Sequence, residues 1–337
     1  MEGEVLTLLR RHLGAEVRPA DRLIEDLGLD SFRFMELVVE LDAAFGVDLG
    51  LALAEGVRFL TIEDITRAVT DRAPQDPAPR RHVPSSTPYF FEHEGVSLYA
   101  VPGAGAPNAS RGVLLVHPFS VEAIQSFRAL QELGTRLNAQ GIPSLRFDLW
   151  GMGDSADSLW EARLPHWISS IGRAARELRE RSGIEEVHVL GLRLGGALAY
   201  LAAQQGAALD GVTLWNPVLS GAEHIDQLQR IDRRTFRTRK DRRLRKDELL
   251  GARVHPELLA QLRAIDLCAA PPPREVRIVH ADGHGDGARL REHHRSGGVP
   301  LEDLPLREAW AWDTFFTHFY WPATSIDNLV THLTEER

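Results

Sequence analysis

Short apolar runs alternate with amphipathic segments from Tyr89 onward, and this alternation limits the possible folds most strongly. Alternating strand and helix signals are typical of a mostly parallel sheet with helices on both faces. The sequence therefore predicts an α/β domain over residues 89–337, with an opening hairpin at 89–102. The predicted parts are strands at 112–116, 143–148, 187–190, 209–215, 276–280 and 308–312 and helices near 121–140, 161–182 and 323–333.

A proline-rich segment separates this domain from the N-terminal part of the 337-residue chain. Residues 73–88 contain five prolines and no apolar periodicity. Such a composition is typical of an extended, semi-rigid tether. The sequence thus predicts two domains, at 1–72 and 89–337, in which the tether holds the first at a high effective concentration near the second.

The N-terminal segment has the pattern of a small helical bundle. Val5, Leu8 and Leu9 recur at helical spacing and predict a helix over residues 2–13. Asp30 is a good cap for a second helix, and Thr61 is a good cap for the last one. Three or four short helices fit a small bundle.

Residues 1–72 resemble the acyl carrier protein family. The resemblance rests on the run Leu27-Gly28-Leu29-Asp30-Ser31, on the acidic helix through Glu36 and Glu40, and on Phe45-Gly46-Val47. It implies that Ser31, beside Asp30, carries a covalent 4′-phosphopantetheine. A phosphopantetheinyl transferase and an acyl-loading enzyme are then the implied partners. Considered without the resemblance, Ser31 could simply lie at a helix start.

A second motif lies where the strand at 187–190 passes into a helix. The run Gly191-Leu192-Arg193-Leu194-Gly195-Gly196 has the outline G-x-S-x-G of a nucleophile elbow, with arginine in place of serine. Together with His117-Pro118-Phe119 and the turn from Asp148 to Ser155, it makes residues 89–335 resemble the α/β-hydrolases. With Leu214–Gly221 added, the pattern is similar to hydrolase-like proteins of exosortase and exopolysaccharide loci.

Arginine at position 193 excludes the usual serine acyl-enzyme at that residue. A guanidinium stays protonated at neutral pH and acts as neither nucleophile nor base. Beside a helix N-terminus it favours an anion, such as a carboxylate, a phosphate or an enolate. The alternative is structural, with Arg193 paired to Asp148 or Asp154 in a closed site.

The α/β-hydrolase resemblance implies further site residues. His318 occupies the region of the catalytic histidine, Asp282 or Asp286 that of its acid partner, and His117 that beside the oxyanion hole. We expect Leu194, Phe119 and Trp150 to line the substrate and oxyanion side. The possible substitute nucleophiles are Ser120, Ser155 and Cys268, although Ser155 suits a turn cap and Cys268 a buried position.

The insertion at about 220–265 is expected to form a lid, and it carries a basic run. One predicted helical face combines four arginines at i, i+3, i+4 and i+7, namely Arg230, Arg233, Arg234 and Arg237. This face suits docking of the acidic carrier helix or of coenzyme A phosphates; alternatively it is a solvated face paired with Asp232 and Asp241. Residues 1–72 hold 15 acidic against 8 basic residues, and the net charge of −9 disfavours a nucleic-acid partner.

Two functions follow from these features. The first is an acyltransferase or a thioesterase-like enzyme acting on an acyl group thioesterified to the pantetheine of Ser31, in which an activated acceptor attacks directly with the help of Arg193 and His117. A His318–Asp282 or His318–Asp286 pair that opens on the cleft and serves as a general base would favour this function. The second is an inactive pseudo-hydrolase that binds or presents this acyl group. Retention of the elbow glycines favours the enzyme, whereas a salt bridge that holds Arg193 would favour the binding protein.

Composition indicates the cellular compartment in which either function would operate. The single cysteine suits a reducing compartment, no apolar run reaches membrane-span length, and no metal-ligand pattern occurs. We expect a cytoplasmic protein without a metal, in a biosynthetic pathway for a secondary metabolite or an acylated polysaccharide.

Overall fold

The computed structural model describes most of the chain, and its residues separate into two compact units. One is formed mainly by residues up to His82 and the other mainly by residues from Val83. The residues described are 2–13, 17–23, 26–27, a few positions between 37 and 49, 61–72, 87–236, 247–274, 276–282, 287–306 and 322–335.

The first unit contains two described helices, α1 (Glu2–Leu13) and α2 (Ile62–Arg72). Thr61 begins α2 with a capping box, because its Oγ1 accepts from the Asp64 N–H at 3.2 Å while Asp64 Oδ2 accepts from the Thr61 N–H at 3.0 Å. The predicted first and last helices are thus confirmed, and the helix predicted to begin at Asp30 lies mostly outside the described residues. The core side chains include Val5, Leu8, Leu9, Leu37, Val38, Leu41, Ile62, Ile65 and Val69.

Among its described residues, the second unit has a sheet of eight strands in the order β1-β2-β4-β3-β5-β6-β9-β10. The β1–β2 and β2–β4 pairs are antiparallel, and every other pair is parallel. The prediction of a mostly parallel sheet is thus confirmed. The strands are β1 (Tyr89–His93), β2 (Val96–Gly103), β3 (Arg111–Val116), β4 (Ser144–Phe147), β5 (Glu186–Leu192), β6 (Gly211–Trp215), a separate hairpin of β7 (Glu248–Leu249) and β8 (Ala252–Arg253), β9 (Arg277–Asp282) and β10 (Glu302–Pro305).

Seven described helices accompany the sheet. The central strands β3, β5 and β6 are almost entirely buried, as expected for strands covered by helices on both faces. Helix α3 packs with α9, and α4 packs with α5. The helices are α3 (Val121–Ala139), α4 (Leu164–Ser182), α5 (Leu194–Gln204), α6 (Gly221–Phe236), α7 (Pro256–Arg263), α8 (Ala288–Gly297) and α9 (Ala323–Glu335).

The predicted lid region lies between β6 and β9 and contains α6, the β7–β8 hairpin and α7. Helix α6 packs against α7 and buries an apolar stripe that includes Ile225 and Leu228. Arg230 and Arg233 lie on its exposed side, whereas Asp232 is buried and accepts from the Leu250 N–H at 3.0 Å. Asp232 therefore supports the β7–β8 hairpin.

The C-terminal part departs from the prediction. The strand expected at 308–312 falls outside the described residues and stays a prediction, and a strand that was not predicted, β10 (Glu302–Pro305), pairs with β9. Helix α8 was not predicted either. Both elements are poor in apolar residues: β10 is largely exposed, and α8 buries only Leu290 and His294. Over the part of the chain that the structure describes, no helix has the length and apolar character of a membrane span.

Candidate functional site

The elbow between β5 and α5 has the tight backbone that its glycines require. Arg193 has φ 53° and ψ −120°, a strained conformation for a residue with a side chain. A Cβ on Gly195 would lie 2.4 Å from the Val116 carbonyl oxygen, and one on Gly191 would lie 2.4 Å from that of Gly195. These approaches hold residue 193 at the C-terminal end of the parallel strands, where a nucleophile elbow presents its central residue.

The Arg193 guanidinium is held by a buried carboxylate. Its Nε and Nη2 both donate to Glu122 Oε1 at 3.2 Å, and Nη2 also donates to Gln227 Oε1 at 3.2 Å. The Glu122 side chain is fully buried, whereas that of Arg193 is 14% exposed. Arg193 therefore forms a salt bridge whose carboxylate is removed from water.

This pairing corrects the prediction that Arg193 pairs with Asp148 or Asp154. Asp148 instead lies 3.6 Å from His117 Nε2 and accepts from the Asp154 N–H at 2.9 Å. The physical reason lies in the chain path, because α3 begins directly after the loop that follows β3. That loop carries Glu122, in the first turn of α3, to the elbow.

His224 of α6 is the third member of the cluster. Its Nε2 lies 3.8 Å from Glu122 Oε2, and its side chain is 2% exposed. Burial lowers the pKa of His224 to about 4, and the positive charge of Arg193 adds to this effect against the opposing charge of Glu122. His224 is therefore neutral near pH 7 and contributes hydrogen-bonding atoms rather than charge.

Glu122, His224 and Gln227 were not among the residues predicted from the sequence. One signal was available, since His224 and Gln227 are three residues apart on α6, next to the buried Ile225 and Leu228. Polar residues on the apolar side of a helix point to a buried polar contact. Glu122 carried no such signal, because an acidic residue in a first helical turn is ordinary.

The predicted oxyanion residues lie at the ends of β3 and β5. His117 is half-buried, and its Nδ1 is 2.7 Å from the carbonyl oxygen of Pro118. The side chains of Phe119 and Leu194 belong to the core, but their backbone N–H groups donate to no residue that the structure describes. Backbone donors so placed are what an oxyanion hole requires.

Trp150, predicted to line the substrate side, is packed into the core. It is 8% exposed, its Nε1 donates to Asp157 Oδ2 at 2.9 Å, and its ring stacks on His166 at 4.2 Å. Its ring contributes to packing, and its backbone carbonyl accepts from Trp167 Nε1.

The possible substitute nucleophiles have different surroundings. Ser155 is buried, donating from Oγ to the Asp148 carbonyl oxygen at 2.7 Å and accepting from the Tyr99 N–H, so it stabilises the turn as expected. Cys268 is partly buried and packs against the core, rather than fully buried as predicted, and desolvation raises its pKa. Ser120 precedes α3 with φ 59° and makes no capping bond through its side chain.

Other predicted site residues are only partly described. Asp30, Ser31, Asp286, Arg237 and His318 lie outside the described residues. Asp282 ends β9 and Arg234 lies in α6, with only their backbones described. The structure therefore places Arg193 and Leu194 at the elbow, Phe119 in the loop after β3 and His117 beside Asp148. The predicted His318–Asp pair stays a prediction.

Comparison with protein families separates the chain into two parts. A family model described as a phosphopantetheine attachment site matches residues 3–69, and one described as serine aminopeptidase, S33, matches residues 110–269. The chain joins an acyl carrier domain to an α/β-hydrolase domain. The carrier domain implies a covalent 4′-phosphopantetheine and a phosphopantetheinyl transferase that attaches it. Ser31 stays the predicted attachment residue.

Solved structures confirm the fold of the hydrolase domain. Est1E from Butyrivibrio proteoclasticus, solved with ferulic acid, shares 16% identity at a TM-score of 0.51, over 73% of this chain and 96% of Est1E. A soluble variant of monoglyceride lipase from Saccharomyces cerevisiae shares 14% identity at a TM-score of 0.51, over 75% of this chain and 95% of the lipase. No curated protein matches. At this identity the likeness shows the fold alone.

Proposed function

We propose that the hydrolase domain binds the acyl group on the pantetheine of the carrier domain and presents it to partner enzymes without cleaving it. The observation that carries this proposal is the Arg193–Glu122 salt bridge. Its guanidinium occupies the position from which an α/β-hydrolase attacks its substrate.

The salt bridge leaves the elbow without an attacking group. A guanidinium cannot give up its proton near pH 7, and hydrogen bonds to Glu122 and Gln227 fix its position. Separating Arg193 from a fully buried carboxylate would leave an uncompensated charge, which is costly. The pair therefore suits a fixed part of the binding site better than a group that moves during a reaction.

The covalent tether supports the delivery of the carried group to this domain. The composition of the proline-rich residues between the two domains predicts a semi-rigid tether, which would keep the carrier near the hydrolase domain. We place the protein in the cytoplasm, because its one cysteine suits a reducing compartment. We assign it to a biosynthetic pathway for a secondary metabolite or an acylated polysaccharide.

One observation favours an enzyme as the second candidate. The N–H groups of Phe119 and Leu194 make no hydrogen bond to a described residue, as expected of oxyanion donors. In this alternative, an acceptor hydroxyl or amine attacks the thioester carbonyl and loses its proton to a base such as His318. The carbon–sulfur bond breaks, and the departing pantetheine sulfur takes up a proton.

Intact-protein mass spectrometry separates the two functions. We would load the full chain with a neutral or a carboxylated acyl-pantetheine, using Ser31→Ala as the loading control, and follow the acyl mass over hours. The proposal predicts equal, slow loss in wild type and Arg193→Ala, with and without added alcohols and amines. Faster loss or transfer in wild type than in Arg193→Ala would establish the enzyme instead.

A second arm of the experiment measures binding. Hydroxylamine cleaves exposed thioesters, so we define protection as the cleavage rate of the free acyl-pantetheine thioester divided by that of the same thioester on the protein. The proposal predicts protection well above 1 in wild type and a lower value in Arg193→Ala. If the thioester is protected from hydroxylamine equally in the variant, we would attribute the protection to the carrier domain alone.

A further inference from the structure

Glu122 and His224 form a buried pair with unused hydrogen-bonding capacity. Arg193 takes up Glu122 Oε1, whereas Glu122 Oε2 makes no hydrogen bond to any described residue. The same is true of both ring nitrogens of His224, whose Nε2 lies 3.8 Å from that oxygen. The side chains are 0% and 2% exposed, so bulk water does not satisfy these atoms.

From this geometry we propose that Glu122 and His224 bind a hydroxyl group on the carried acyl chain. The inference rests on the proposed function, because it names the class of acyl group that the hydrolase domain holds. The hydroxyl would donate its proton to Glu122 Oε2 and accept a hydrogen bond from a ring N–H of His224. One small group would then pair with Glu122 Oε2 and with one ring nitrogen of His224.

The charges around the pair select a hydroxyl over other groups. The Arg193–Glu122 pair is neutral as a whole, so a carboxylate or an ammonium brought to it would be a buried charge without a counter-charge of its own. An alkyl group would offer no hydrogen bond, and a buried polar atom without one carries a desolvation cost. A hydroxyl is neutral and is both donor and acceptor, so it fits an acceptor and a donor that lie close together.

The lid helix gives this pair a specific place in the domain. His224 lies on α6, and Glu122 lies in the first turn of α3, directly after the loop that carries the predicted oxyanion donor Phe119. Gln227, one helical turn after His224, bonds to Arg193. The lid helix and the elbow therefore meet at the site where the hydroxyl would bind. A bound acyl chain would thus contact the lid through His224.

The test compares acyl chains of one length, unsubstituted or with a hydroxyl at successive carbons, each loaded on the full-length carrier. Protection from hydroxylamine is measured for each chain and normalised to its own free acyl-pantetheine thioester. In wild type we expect one hydroxylated chain to be protected about tenfold more than the unsubstituted chain, which is the effect of about one hydrogen bond. His224→Ala should reduce that preference below about twofold.

Controls separate recognition from folding. Glu223→Ala, next to His224 on the exposed side of α6, should keep the wild-type preference. His224→Gln retains a hydrogen-bonding side chain and should keep more of it than His224→Ala. Tryptophan fluorescence reports folding in each variant, because all seven tryptophans lie at or after residue 150, outside the carrier domain.

The outcomes distinguish this inference from the proposed function. Equal protection of all chains, hydroxylated or not, would overturn the hydroxyl site and leave the binding function standing. A preference that survives in folded His224→Ala would also overturn it. If no chain is protected beyond its free thioester, the proposed binding function itself fails.

Discussion

At the scale of single residues, we expect single and double substitutions of the Arg193–Glu122 pair to have different effects on the free energy of unfolding. Arg193→Met leaves Glu122 buried and unpaired, so we expect the free energy of unfolding to fall by about 3–5 kcal/mol. Arg193→Met combined with Glu122→Leu removes both charges and should recover most of that loss. Urea unfolding followed by tryptophan fluorescence measures both. If the double variant is as unstable as the sum of the two single variants, the coupling between these residues is absent.

The buried His224 predicts a pH dependence of stability. Its folded pKa of about 4 lies below the unfolded value of about 6.5, so between these values the unfolded chain binds a proton that the folded domain does not. The stability contributed by neutral His224 is therefore complete above about pH 6.5 and is lost as the pH falls toward 4.

The corresponding measurement is urea unfolding at pH 7.5 and pH 5. Wild type should lose about 2 kcal/mol more than His224→Gln between these values, since glutamine does not titrate. Glu122 and Arg193, the charged groups facing His224, are the same in both proteins. An equal pH dependence in the two proteins would show that His224 titrates alike in the folded and unfolded states.

Residue identity alone predicted the unusual elbow but not its partner. The motif around Arg193 could be recognised because two glycines and a strand-to-helix transition are local features of the sequence. The partner Glu122 is 71 residues away, and only the path of β3 and α3 brings it near. Asp148 is closer to Arg193 in the sequence and was predicted as its partner. That prediction was wrong, since Asp148 lies against the side chain of His117.

At the scale of elements, we expect a Gly→Ala substitution to destabilise the domain much more in α5, at the elbow, than in α4. Gly195→Ala would place a Cβ 2.4 Å and 2.7 Å from the carbonyl oxygens of Val116 and His117, so α5 must shift from β3. We expect a destabilisation of about 1–3 kcal/mol or more. Gly172→Ala in α4 is the matched control, because its nearest contact would be Ala207 Cβ at 3.6 Å.

Thermal unfolding of the two variants checks this prediction. Gly172→Ala should be neutral or stabilising by up to about 1 kcal/mol, because alanine favours a helix over glycine. Equal effects of the two substitutions would mean that α5 can move freely at the elbow and that its close approach to β3 is not required.

Elements with a strong hydrophobic period were predictable, and weakly apolar ones were not. Helix α1, helix α2 and the buried strands β3, β5 and β6 follow from their patterns, because each buries a continuous apolar face or run. Strand β10 contains Glu302, Asp303 and Pro305 and forms only by pairing with β9. Tertiary pairing, rather than local preference, decides such an edge strand.

At the scale of the whole molecule, the basic side of α6 predicts charge-dependent docking of the carrier domain. Arg230 and Arg233 are exposed, and the carrier segment is acidic, so the double charge reversal Arg230→Glu/Arg233→Glu should lower protection of the loaded thioester. Added salt should lower protection in wild type and have less effect in the variant, because salt screens exposed charges.

The matched control reverses two exposed arginines elsewhere in the hydrolase domain. Arg274→Glu/Arg295→Glu changes the net charge by the same amount and should leave protection near the wild-type value. Protection that falls equally in both double variants would point to an effect of net charge and would contradict docking on α6.

We propose that the hydrolase domain holds the carried acyl group without breaking its thioester bond, and one experiment tests this function. The most direct test follows the mass of the acyl-loaded full chain with and without hydroxylamine, beside the matching free acyl-pantetheine thioester. We expect no loss beyond the slow hydrolysis of the free thioester, together with hydroxylamine cleavage about tenfold slower or more on the protein. Rapid release without hydroxylamine in wild type that stops in Arg193→Ala would contradict it and identify the domain as an enzyme.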